Sequence, residues 1–120
     1  MNTPINLQSK FHLFSDHWSP KVIAEMNDYQ FKIVKIKGQF IWHEHQDTDE
    51  VFLVIDGSMG IEFRSRTVEL TAGEMLVVKT GEQHKPFSLQ ECKAMIVEQK
   101  GVVSTGDSGG NLIEEDDVWI

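Results

Sequence analysis

From residue 21 onward, the sequence consists of short segments rich in β-branched and aromatic residues, separated by turn signals that contain glycine. Segment 29–37 alternates between two faces, which is typical of a strand, and Asp56-Gly57 is a tight-turn signal. The predicted strands cover residues 29–37, 39–45, 50–55, 59–64, 67–70, 75–79, 84–88 and 93–99. Many short strands with regularly spaced turns predict an all-β sandwich or barrel.

The two ends of the chain differ from this β-rich core, which we expect to span about residues 21–100 of a single domain over residues 1–120. Residues 5–18 predict a short helix or turn. Residues 101–120 carry glycines and acids but finish with apolar residues at 118–120. An apolar end is a poor choice for a frayed tail, so we expect this C-terminal arm to dock against the barrel or a second subunit.

The charge of the chain excludes several partners. The 120 residues include 11 Lys and Arg against 19 Asp and Glu, a formal charge of −8. Such a chain repels phosphate backbones and anionic membrane surfaces, so we expect neither nucleic acid nor membrane as a partner. The single cysteine, Cys92, has no internal partner for a disulfide. Its isolation and the absence of a signal-like apolar run predict a cytoplasmic protein.

Three histidines and a glutamate form the candidate metal site. His43 and His45 are two residues apart, and side chains at this spacing on a strand point to the same face. Glu50 opens the next segment after a short connection, and His84 begins a later one. Three imidazoles and one carboxylate are a suitable ligand set for a divalent transition metal such as Zn, Ni, Fe, Cu or Mn.

Two stretches of the chain resemble the motifs of a known family. Residues 38–57 read G-QFIW-H-E-H-QDTD-E-VFLVID-G and resemble the first cupin motif, with one residue fewer before the first histidine. Residues 73–88 read G-EMLVV-K-T-G-EQ-H-KPF-S and resemble the second. Lys79 stands where the family usually has proline, and Ser88 where it usually has asparagine. Neither departure affects a metal position.

The resemblance implies a cupin double-stranded β-helix, a jelly-roll-like barrel that is commonly dimeric, with the metal inside near one mouth. It assigns the ligand role to His43, His45, Glu50 and His84. Within the family, the chain looks most like the small single-domain cupins sometimes labelled mannose-6-phosphate isomerase-like. That label rests on fold-level similarity and carries little weight for the reaction.

The alternation of side chains along strands extends the site. The inward-facing residues that would line the pocket are Ile41, Phe52, Val54, Pro86 and Ser88. An apolar wall of this kind suits a small molecule with a bidentate oxygen group and an apolar body. By the same alternation we expect Phe40, Trp42 and Glu44 to face outward, with Phe40 and Trp42 at a subunit interface or under the N-terminal segment.

Two functions follow as hypotheses. The first is a metal-dependent protein that acts on a small molecule in the barrel, with oxygenase-like or isomerase-like chemistry. The second is a non-catalytic module that binds or senses a small molecule. In both, we expect one divalent transition metal (Zn, Ni, Fe or Mn) and a homodimer. The sequence offers no separate, clearly placed general base, which weighs mildly against an isomerase.

Overall fold

The structure is a computed structural model and describes residues 2–101 and 117–120. In chain order its elements are α1 (Leu7–Phe11), β1 (Lys21–Met26), β2 (Tyr29–Gln39), β3 (Glu50–Asp56), β4 (Ser58–Phe63), β5 (Thr67–Thr71), β6 (Met75–Val78) and β7 (His84–Gln99). The predicted all-β class is confirmed, with every strand pair antiparallel. Within the described ranges, none of the helical structure has the length and apolar character to cross a membrane.

The longest strand, β7, joins the two parts of the barrel. One edge of β7 pairs with β2. Its other edge pairs with β4 through residues 84–87 and with β3 through residues 93–98. The strand order is therefore β1-β2-β7-β3-β6, with β4 and β5 attached beside it. Since β3 and β7 both begin with candidate ligands, this pairing decides where the site lies.

Two predicted strand boundaries differ from the structure. Segments 84–88 and 93–99 are parts of the single strand β7. Segment 39–45, predicted as a strand, continues β2 only to Gln39 and then makes one isolated bridge, between His43 and His84. The pairing of β2 with β7 is irregular between Ile36 and Gly38, where Gly38 has a φ of 83°. Pairing resumes only for Gly38 and Gln39, opposite Ser88 and Phe87, and the segment beyond them makes just the isolated bridge.

Two hydrophobic clusters hold the fold together. The larger lies inside the barrel and includes Val54, Ile61 and Cys92, all fully buried. The smaller lies outside the sheet, where Phe11 of α1 packs against Ile33 of β2. Helix α1 thus covers part of the outer face of the sheet, and the chain after it leads to the mouth of the barrel.

The end of the chain docks against β1, as predicted. Val22 forms a parallel bridge with Trp119, supported by Val22 N–H donating to the Val118 carbonyl at 2.8 Å. The side chain of Ile120 packs against the outer cluster, and its carbonyl accepts a hydrogen bond from Lys10 Nζ at 2.9 Å. Residues 102–116 of the expected arm lie outside the described residues.

Candidate metal centre

The structure brings the four predicted ligand residues together at one end of the barrel. His43 and His84 face each other across reciprocal backbone hydrogen bonds of 3.0 and 2.9 Å. His45 lies two residues further on the same side, and Glu50 opens β3. One ligand atom from each residue lies within 4.8 Å of all the others. We refer to these four residues as the His–Glu cluster.

All four side chains of the His–Glu cluster are at least 95% buried. Glu50 Oε1 lies 3.5 Å from His45 Nε2 and 3.4 Å from His84 Nε2. These nitrogens and this oxygen therefore converge on a shared point.

Backbone carbonyls orient two of the imidazoles. His43 Nδ1 lies 2.9 Å from the carbonyl oxygen of Ile41, and His84 Nδ1 lies 2.8 Å from that of Glu82. Because a carbonyl oxygen only accepts hydrogen bonds, both Nδ1 atoms carry the proton. Each Nε2 atom then offers a lone pair toward the centre of the cluster, as a metal ligand must.

Three of the converging atoms have no hydrogen-bond partner: His45 Nε2, Glu50 Oε1 and His84 Nε2. Buried polar atoms are almost always paired, because an unpaired one loses its hydration without compensation. A cation among them would satisfy all three at once. The donor set of three nitrogens and one carboxylate oxygen thus fits a divalent transition metal.

The pKa values of the cluster favour the protonation states that metal binding needs. Burial, with the nearby His84 second, lowers the pKa of His43 to about 4, so this imidazole is neutral at neutral pH. Burial acts to raise the pKa of Glu50, but its contacts with His45 and His84 outweigh that effect and lower it. Glu50 is therefore the carboxylate, and His43 is free of a competing proton.

Asp49 fastens the loop between His45 and Glu50 to the turn before His84. Asp49 Oδ1 accepts hydrogen bonds from the backbone N–H and the hydroxyl of Thr80, both at 2.9 Å. These bonds lower the pKa of Asp49. The next residue, Gly81, donates its N–H to the His45 carbonyl at 2.8 Å. The connection that returns Glu50 to the histidines is thus tied to the turn before His84.

A buried ion pair lies beside the cluster. Lys32 Nζ of β2 lies 3.0 Å from Glu98 Oε1 of β7, with side-chain exposures of 3% and 2%. Glu98 is the register partner of Glu50 on β3, so the two carboxyl groups are neighbours on the inner face. Burial and the nearby Glu50 raise the pKa of Glu98 well above its ordinary value. We refer to Lys32 and Glu98 as the Lys–Glu pair.

An apolar cavity adjoins the His–Glu cluster. Two cluster members, His43 and Glu50, form its polar part. Its apolar walls are formed by Trp18, Pro20, Val34, Ile36, Phe40, Phe52, Pro86, Ala94 and Ile96. Among the described residues that line it, none carries a positive charge.

The five predicted pocket residues occupy different places. Phe52 and Pro86 line the cavity. Val54 is fully buried in the inner core, and Ile41 contributes its carbonyl oxygen to His43. Ser88 lies in a groove beside β4, where its hydroxyl donates to the carbonyl oxygens of Ser58 and Gln90. Ser88 comes directly before residues 89–91, where the pairing of β7 with β2 is irregular, and its side chain lies in the neighbouring groove and not in the cavity.

Phe40 does lie under the N-terminal segment, one of its two expected positions, but it faces the cavity and not outward. Phe40 is only 8% exposed, stacks on Trp18 with ring centroids 4.9 Å apart, and places its ring 5.3 Å from that of His43. Strand alternation predicts the wrong side for Phe40 because residues 40–45 do not form a regular strand, in which every second side chain would point to the same face. Trp42 lies beneath the guanidinium of the exposed Arg64, 3.8 Å from its ring centre.

Comparison with known proteins identifies relatives of this architecture. Residues 31–98 match the profile of the family described as cupin domain. The uncharacterised protein YdbB of Bacillus subtilis is 33% identical over 79 residues, which cover 65% of this chain and 70% of YdbB.

Solved structures give closer matches. A cupin-2 domain containing protein from Shewanella frigidimarina is 58% identical, with a TM-score of 0.79 over 80% of this chain and 94% of that one. Protein NMB1881 from Neisseria meningitidis is 29% identical, with a TM-score of 0.75 over 82% of this chain and 100% of that one.

Proposed function

We propose that this chain, which belongs to the cupin family, binds one divalent transition metal and uses it to hold a small molecule by a pair of oxygen atoms. The observation that carries the proposal is the convergence of His45 Nε2, Glu50 Oε1 and His84 Nε2, all buried and all without a partner. Bound at this point, a metal such as Zn, Ni, Fe or Mn would polarise a ligand oxygen or carry oxygen chemistry.

The cavity supports the rest of the proposal. Its polar groups are metal ligands at one end, and its other walls are apolar. A ligand that fits both would bind the metal through oxygen atoms and bury a carbon skeleton against the walls. A phosphorylated sugar fits poorly, because no cationic side chain among the described lining residues would neutralise its phosphate.

The lining also bears on the type of reaction. Among the described residues around the cavity, the only acid–base groups are His43 and Glu50, which we assign to the metal. An isomerase that moves a proton between carbons requires a base of its own. The arrangement therefore favours oxygen chemistry at the metal or ligand binding without turnover. Oxygen consumption with metal-loaded protein supports the enzyme, whereas saturable binding without turnover supports the binding module.

Metal analysis of purified protein tests the proposal directly. Wild-type protein loaded with Ni²⁺ or Zn²⁺ and then desalted should retain one ion per chain. The His84→Ala variant should lose the ion and keep its β-sheet circular dichroism, because barrel burial dominates stability. The matched control is His12→Ala, at an exposed histidine outside the cluster, which should retain the ion. A wild-type protein that holds no metal at any loading would refute the proposal.

A further inference from the structure

The cavity beside the His–Glu cluster is too small, as it stands, for the ligand that we propose. The space open to water molecules in it is about 30 Å³. This is room for one or two waters, whereas ligand cavities in proteins measure roughly 300–1,000 Å³. A ligand with a carbon skeleton therefore has to displace part of the wall.

Most of the wall cannot move easily. Val34 and Ile36 lie on β2, Phe52 lies on β3, and Ala94 and Ile96 lie on β7. Each of these side chains is at most 8% exposed, on strands joined by continuous backbone ladders. Moving any of them would break several hydrogen bonds together with the packing of the inner core.

Trp18 is attached differently. It belongs to the irregular segment between α1 and β1 and is only partly buried. Its backbone N–H donates to the Lys35 carbonyl at 3.0 Å, and its indole Nε1–H donates to the Lys37 carbonyl at 2.9 Å. The ladder between β1 and β2 starts at the pair formed by Lys21 and Ile33. Both carbonyls belong to the part of β2 after Ile33, which does not pair with β1. Two hydrogen bonds, one ring stack and the packing of a partly buried side chain against the inner cluster thus hold this wall in place, with no strand ladder of its own.

The backbone of Trp18 is also strained. Its φ of 60° lies in the left-handed region, which costs energy for any residue with a bulky side chain. The only other non-glycine residue with positive φ among the described residues is Asn27, in the turn between β1 and β2, where asparagine is well tolerated. Strained residues persist where the surroundings hold them, and they concentrate at sites that clamp ligands.

We infer that Trp18 is the movable wall of the ligand cavity and that its indole, with the ring of Phe40, selects ligands with a flat apolar body. The two rings are stacked with an angle of 20° between their planes. The ring of Phe40 in turn meets the ring of His43 at 88°, so this aromatic wall leads directly to the proposed metal. The inference rests on the proposed function and specifies its ligand: an oxygen pair at the metal, joined to an aromatic or otherwise planar group.

Two hydroxamates serve as probes, because they present the same oxygen pair and differ only in the attached group. On Ni²⁺-loaded wild-type protein, benzohydroxamate should bind about 10-fold more tightly than acetohydroxamate, since its ring is buried between aromatic walls. The Trp18→Ala variant should reduce this preference to about 2-fold and accelerate association of both probes. Trp18→Phe should keep part of the preference. Trp42→Ala, which changes an aromatic residue outside the cavity, should leave the preference and the rates unchanged.

The outcomes separate this inference from the proposed function. If the metal and acetohydroxamate bind but Trp18→Ala changes neither the ring preference nor the association rate, the inference is refuted and the proposed function stands. If the protein holds no metal, benzyl alcohol is titrated into the metal-free protein and the indole N–H signals of Trp18, Trp42 and Trp119 are followed by NMR. A saturable shift at Trp18 alone supports the aromatic wall, and an unchanged Trp18 signal refutes it.

Discussion

Two polar groups are buried side by side on the inner face of the barrel, and their hydrogen-bonding needs are met in opposite ways. In the Lys–Glu pair, the ammonium of Lys32 lies 3.0 Å from a carboxylate oxygen of Glu98. In the His–Glu cluster, three atoms point at one another and none has a partner. Both groups contain a glutamate, and Glu50 and Glu98 are register partners on neighbouring strands.

The contrast separates a group that contains its own cation from one that does not. In the Lys–Glu pair the lysine donates to one oxygen of the carboxylate, Glu98 Oε1, and only Glu98 Oε2 is left without a partner. In the His–Glu cluster, His43 and His84 offer lone pairs toward the centre, because their Nδ1 protons are already donated to backbone carbonyls. Lone pairs without donors point to a cation as the missing partner.

The largest effect should come from breaking the Lys–Glu pair. Lys32→Met leaves the Glu98 carboxyl buried without its cation, which should lower the free energy of unfolding by about 3–5 kcal/mol at neutral pH, measured by urea denaturation. The double variant Lys32→Met/Glu98→Met should recover most of this loss, because it removes both polar groups. A loss below about 1 kcal/mol in the single variant would mean that Glu98 is a neutral acid in the folded protein and that the two groups form no ion pair.

The next effect tests whether the two neighbouring glutamates differ as the contrast requires. Glu50→Gln removes the charge of a proposed ligand and should weaken Ni²⁺ or Zn²⁺ binding by about 100-fold or more. Glu98→Gln makes the same chemical change one strand away and should weaken it by less than about 10-fold. Competition against a chromophoric chelator measures both affinities. Equal losses in the two variants would contradict the assignment of Glu50 alone to the metal.

A smaller effect concerns the pH dependence of the metal-free protein, kept so with a chelator. His43 has a pKa of about 4 in the folded state against 6.5 ordinarily, so folding favours its neutral form. Its contribution to stability is complete above pH 6.5 and is lost as the pH falls from 6.5 toward 4. Between pH 7 and pH 5 the loss should be about 2 kcal/mol.

Glu98 acts in the other direction over part of this range, because burial and the nearby Glu50 outweigh the attraction of Lys32. The pKa of Glu98 is raised, so its contribution is present below its unfolded pKa and is lost as the pH rises. The free energy of unfolding of the wild-type protein therefore contains the contributions of both His43 and Glu98. The difference between wild type and His43→Gln isolates the histidine, and the variant should show the smaller decline toward pH 5. Parallel curves for the two proteins would contradict the lowered pKa of His43.

Much of the fold could be predicted because its signals are local. Alternation and turn residues located all eight predicted strand segments near real β structure, except that 39–45 makes only one bridge. The four residues of the His–Glu cluster could be chosen because they stand at the metal positions of the two stretches that resemble the cupin motifs. Strand alternation gave the wrong position for Phe40 and Ser88. Both residues lie next to the register shift between β2 and β7, where side chains no longer alternate regularly.

Other parts of the site could not be predicted, because they depend on contacts between distant segments. A lysine and a glutamate in strands are typical of surface positions, and only the closed barrel buries Lys32 against Glu98, 66 residues away. Trp18 lies in a segment with no clear period, so nothing in its pattern indicated that it covers the cavity. One local feature does indicate that Lys32 is buried. Strand alternation places Lys32 on the same face as Val34 and Ile36, which are both buried.

The sequence by itself determined the all-β class and the family motifs, which select His43, His45, Glu50 and His84 as the candidate ligands. These are properties of residues close together along the chain, and strand geometry translates them directly into positions. Only the tertiary structure decided which atoms are left without partners, which charges are buried and which aromatic rings form the cavity wall. Those properties depend on how β2, β3 and β7 pair and on where the segment after α1 crosses the mouth of the barrel, and the energies of burial and pairing arise only when these distant segments meet.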